Sequence, residues 1–109
     1  MHHQLTQTDS GWQLAVHCAL DQNTITSDFW PSLTVNEQSK FTRGESLTVD
    51  LVELERADTA GLAWLLNLLR DLNKQGINVT IAHASADLIN LARLSGVEGL
   101  LKKHCDSQN

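Results

Sequence analysis

The chain has 109 residues, 41% of them apolar, with eight basic and thirteen acidic side chains and a net charge of −5. That length fits one domain with a modest core, and an ordinary globular composition with a single proline excludes extended disorder. The acidic balance argues against a general nucleic-acid binder, which needs a basic face to neutralise phosphates, and against direct adsorption to an anionic membrane surface.

Met1-His2-His3-Gln4 carries no basic-then-apolar signal pattern. Gln4 to Thr8 reads as a short edge strand, and Asp9-Ser10-Gly11 as a turn. From Trp12 to Leu20 the alternation is strict. Trp12, Leu14, Val16, Cys18 and Leu20 share one face, which predicts a half-buried strand hairpin-paired with the one before it. Asp21-Gln22-Asn23-Thr24 closes that strand. Ser27 to Phe41 is read as a helix, with Asp28 as cap and Pro31 in its first turn, ended by Arg43-Gly44-Glu45.

Leu47 to Leu51 and Asn78 to Ala82 are short strands, each followed by a helical segment, so parallel neighbours joined by a crossover are expected. Between them runs the strongest helix, about Ala60 to Gln75, stopped by Gly76. Leu62, Leu65, Leu66, Leu69 and Leu72 form its buried stripe. Ser85 caps a second helix that runs through Leu88, Leu91, Ala92 and Leu94 to Gly96. Val97 to Leu101 is read as a last short strand or turn. The organisation is one α/β domain over 1–109, with its core at about 11–101 and a polar tail over 102–109, frayed from His104 to Asn109.

No stretch of the chain is apolar enough to span a bilayer, since Gly61 to Leu72, the densest, contains Asn67, Arg70 and Asp71. Cys18 and Cys105 form no CxxC pair, and reduced thiols in a cytoplasmic protein are expected. The dipeptide His17-Cys18 is a poor metal site, because neighbouring strand residues point to opposite faces, and His104-Cys105 lies in a solvated tail. Glu53, Glu55 and Asp58 read as acids of a solvated loop. The Walker A, GxGxxG, HExxH and GxSxG patterns are missing, so neither catalytic residues nor a cofactor are assigned.

One place is chemically distinctive. Asp58-Thr59-Ala60-Gly61 joins a buried strand to the long helix, and its small residues let another surface approach the backbone. A helix start exposes unpaired N–H groups and a partial positive charge. Asp58 or Thr59 is its cap. Trp64 and Leu68, one turn apart and off the leucine stripe, either pack under a neighbouring helix or form an exposed apolar contact beside Thr59, and they are kept as candidates for that contact.

The run Asp58-Thr59-Ala60-Gly61-Leu62-Ala63, then Leu65-Leu66, then Gln75-Gly76 and Asn78-Val79-Thr80, resembles a STAS domain, the anti-sigma factor antagonist fold. Leu20-Asp21-Gln22 resembles the turn after that family's second strand, and Ala86 to Leu94 resembles its following helix. Within the family the chain looks closest to the MlaB-like branch, the STAS subunits of phospholipid-transport ABC complexes. The resemblance implies a mixed sheet with helices mainly on one face. It implies a non-enzymatic subunit that grips the transporter's ATPase through the surface around Thr59, cytoplasmic and peripheral to the inner membrane, supporting lipid asymmetry. The sporulation-type branch implies another reading, a kinase partner and phosphorylation at Thr59. That branch carries serine there, and a second serine where this chain has Ala60.

Overall fold

The computed structural model describes residues 2–9, 11–25 and 27–105, without the side chains of His2 and Cys18. Ser10 of the expected turn, the expected burial of Cys18 and positions 106–109 of the expected tail lie outside this description.

Strand β1 (His2–Thr8) and strand β2 (Gly11–Leu20) form the expected antiparallel hairpin, with Leu5 opposite Leu14. Trp12, Leu14, Val16 and Leu20 are buried, while Gln13, Ala15 and His17 on the other face are half-exposed. Asp21 ends β2 in a turn whose backbone bonds run from Thr24 and Ile25 N–H to the Asp21 carbonyl.

The expected helix over Ser27 to Phe41 is two short ones, α1 (Phe29–Ser32) and α2 (Val35–Ser39). Thr34 causes the break. Its hydroxyl accepts from Glu37 N–H at 3.1 Å, and Glu37 Oε1 accepts from Thr34 N–H at 2.8 Å. This reciprocal capping box starts a new helix where the first would have continued. Asp28 flanks α1 but makes no side-chain capping bond. Its carboxylate instead accepts from Asn67 Nδ2.

Strand β3 (Ser46–Asp50) runs parallel to β2, and a turn at Leu51 to Glu53 leads into β4 (Leu54–Ala57), also parallel to β2. Strand β4 overturns the reading of Glu55 as part of a loop. Helix α3 (Thr59–Lys74) then crosses to β5 (Asn78–Ala82), which lies parallel to β3 as expected. Helices α4 (Ala86–Leu94) and α5 (Glu98–Lys103) complete the fold. The sheet order is β1-β2-β3-β5, with β4 added on β2.

Residues 97–101 are thus mostly helix, not strand or turn. Glu98 sits in the first turn of α5 and Lys102 and Lys103 in the last, matching the helix dipole, and Leu101 is fully buried. The expected fraying from His104 is also corrected at residues 104–105. The carbonyl of His104 accepts from Ile81 N–H at 2.6 Å, and Cys105 bridges to Ile81. The core lies between the sheet and the helices. Val79 and Ile81 face it, while Asn78 and Thr80 face outward, so the second sheet face is open and polar.

Candidate functional site

The parallel strands β2 and β4 end side by side, and α3 starts there. Asp58 is the cap: its Oδ1 accepts from Gly61 N–H at 3.1 Å, and its carbonyl accepts from Leu62 N–H at 2.9 Å. The other carboxylate oxygen accepts from Gln22 N–H at 3.2 Å, and Asp58 N–H donates to the Leu20 carbonyl at 3.3 Å. One aspartate therefore ties the helix start to the turn after β2.

Gly61 makes this approach feasible. A Cβ there would lie 1.9 Å from the Leu20 carbonyl oxygen, so only glycine lets α3 rest against the end of β2. Asp21 braces the turn from inside. Its Oδ1 accepts from Asn23 N–H at 3.0 Å and Thr24 N–H at 3.1 Å, and its Oδ2 lies 3.3 Å from Arg56 Nε. Partial burial works against its charge, but the Asn23 N–H, the Arg56 guanidinium and the Thr24 hydroxyl outweigh it and hold the carboxyl below the usual carboxylate range.

Thr59 is the first residue of α3 and is exposed, with Ala60 half-buried beside it. The cap is Asp58, so the helix does not need the Thr59 hydroxyl for capping. The N–H groups of Thr59 and Ala60 precede the two that Asp58 satisfies and remain at the helix start. Ala63, one turn on, is also exposed and keeps this face low. A groove that adjoins the corner at Arg56 and Ala57 is lined also by Leu54, Glu55, Ser85, Asp87 and Leu88.

Trp64 and Leu68 correct the sequence reading. They are 1% and 0% exposed, so they offer no apolar surface to a partner. Trp64 packs edge-on against Phe29, and its Nε1–H donates to the Ser27 carbonyl at 3.1 Å. Helix α1 covers the side of α3 that the leucine stripe leaves open. The corner thus brings together Asp21, Asp58, Thr59, Ala60 and Gly61, and leaves Trp64 and Leu68 in the core. Arg56 and Gln22 belong to it and were not foreseen. A lone arginine and a turn glutamine carry no spacing signal.

The family described as Mlab, STAS domain, matches residues 3–102. The chain belongs to that family. The match takes in the whole of the Asp58–Gly61 corner and the turn at Asp21. No curated protein sequence matches the chain. STAS domains are in general interaction modules rather than enzymes, and the mixed sheet with its helices on one face is the architecture expected of one. No described helix of this STAS domain is long and apolar enough to cross a membrane.

Proposed function

We infer that this STAS domain is the cytoplasmic subunit that binds the ATPase of a phospholipid-transport ABC complex, peripheral to the inner membrane through that partner, and supports assembly, activity and outer-membrane lipid asymmetry. The observation that carries this reading is the exposed Thr59 on a corner fixed by Asp58, Asp21 and Gly61. A rigid, low surface binds without the cost of ordering a loop. The contact is centred on Thr59, Ala60 and Ala63 and bordered by Gln22 and Arg56. Membership of the Mlab branch supports the choice of partner.

Thr59→Glu places a bulky charge at the contact while a helix start tolerates the carboxylate. Co-purification with the ATPase is expected to fall at least about tenfold, a loss of about 1.4 kcal/mol, with the melting temperature unchanged. Thr59→Ser should bind as the parent does. Undiminished binding by folded Thr59→Glu overturns the reading.

An exposed Thr59 is also what a phospho-switched anti-sigma factor antagonist with a serine-kinase partner would need. Asp58 weighs against it. A phosphate on Thr59 would bring about −1.5 to −2 charges beside the carboxylate that caps the same helix, more than the single charge of Thr59→Glu.

A further inference from the structure

The two edges of the sheet are treated differently. At β5 the C-terminal segment covers the edge, with Ile81 N–H bonded to the His104 carbonyl and His104 Nδ1–H donating to the Val79 carbonyl at 3.2 Å. At β1, among the described residues, no segment other than β2 makes a backbone bond. Edge strands are ordinarily blunted by charges, proline, bulges or a covering element, because their free N–H and C=O groups recruit another strand. Strand β1 is seven residues long, pairs with β2 in unbroken register, and carries no carboxylate, lysine, arginine or proline.

We propose that the outer edge of β1 pairs antiparallel with β1 of a second copy of this chain, centred on Leu5. The strand is self-complementary about that point. Leu5 meets the second copy's Leu5, His3 meets Gln7, and Gln4 meets Thr6. Every pair is apolar with apolar or polar with polar. Leu5 is only half-buried against the core in one copy, and the pairing completes its burial. Each copy carries a charge of −5, but β1 contributes no acid to it, so the strand is a neutral seam on an acidic molecule. A foreign strand would have to match this seam by chance, whereas a second copy matches it by symmetry.

One strand edge covers less than the roughly 800 Å² per partner of a standard interface, so the dimer is weak, with a dissociation constant of about 0.1–1 mM. The surface is separate from the Thr59 corner, and its failure would leave the ATPase reading untouched.

The test is sedimentation equilibrium across that concentration range, with a thermal melt of each variant to confirm folding. Gln4 and Thr6 are exposed on the open face of the sheet, so changing them leaves the core alone. Gln4→Lys/Thr6→Lys sets like charges opposite each other twice and is expected to weaken association about tenfold. Gln4→Glu/Thr6→Lys sets opposite charges in the same places and should associate at least as tightly as the parent. A parent chain that stays monomeric throughout, or two variants that associate equally, overturns the proposal.

Discussion

At Gly61 two effects of a single methyl group oppose each other. Helix propensity alone favours alanine by about 1 kcal/mol. The added Cβ would meet the Leu20 carbonyl oxygen at 1.9 Å, and that oxygen is backbone that cannot rotate away. Forcing α3 off β2 costs about 1–3 kcal/mol as overpacking, and the move also breaks the Asp58 bonds to Gly61 and Gln22. Gly61→Ala is therefore expected to lower both stability, by denaturant titration, and ATPase binding. An alanine variant of unchanged or higher stability would show that α3 has room to spare. At this scale the site was half legible. Asp58-Thr59-Ala60-Gly61 announces a tight corner, because small residues around a cap have few other uses. Trp64 and Leu68 were misread because a helix with one full leucine stripe looks finished. Nothing in its own sequence reveals that α1 folds over its flank.

Among the elements, the two parallel strands and their crossover helix could be read directly, since β3, α3 and β5 are each dense and bounded by turn residues. The shorter pieces could not. Strand β4 has four residues with charged middle positions, and only its register against β2 makes it a strand. Helix α5 contains Gly99, which hides its pattern, yet Leu101 buries it. The break before α2 was legible as Thr34-Val35-Asn36-Glu37, a capping box within a longer helical pattern. Asp50 links several of these elements. Its carboxylate lies 2.9 Å from His83 Nδ1 and accepts from Val52 N–H at 3.0 Å and Gln13 Nε2 at 3.3 Å, so it holds β2, the turn before β4 and the end of β5 together. His83 needs such a hold, since its φ of 62° is the left-handed region that non-glycine residues avoid. Burial raises the Asp50 carboxyl, but the bonds from His83, Val52 and Gln13 prevail and leave it lower than usual. The sign follows. The contribution is whole above the unfolded carboxylate value of about 3.9 and fades as pH falls through that value to the lower folded one. Asp50→Asn should lower the melting temperature at neutral pH and flatten its decline below about pH 4. A parent and variant whose melting curves fall in parallel through the acid range would remove Asp50 from this role.

On the scale of the molecule, among the described residues, one sheet face and one sheet edge are protected, and the other face and edge are open. The helices cover the apolar face, and the residues after α5 cover the β5 edge. That second cover is small but specific. His104 supplies a carbonyl to Ile81 N–H and a ring N–H to the Val79 carbonyl, and Cys105 packs against the core. Burial pushes the Cys105 thiol above its ordinary range, against the pull of Lys102, so it stays protonated and unreactive near neutral pH. Ending the chain after Lys103 removes both bonds, each worth about 0.5–1.5 kcal/mol. The melting temperature should fall by roughly 4–12 °C at the usual conversion for a domain of this size. The loss also exposes a second edge in a sheet that already has one open, so the shortened chain should precipitate on heating where the full chain melts reversibly. Restoring only His104 and Cys105 should return both the melting temperature and reversibility. If a chain ending at Cys105 behaves like the one ending at Lys103, the edge is not what these two residues protect.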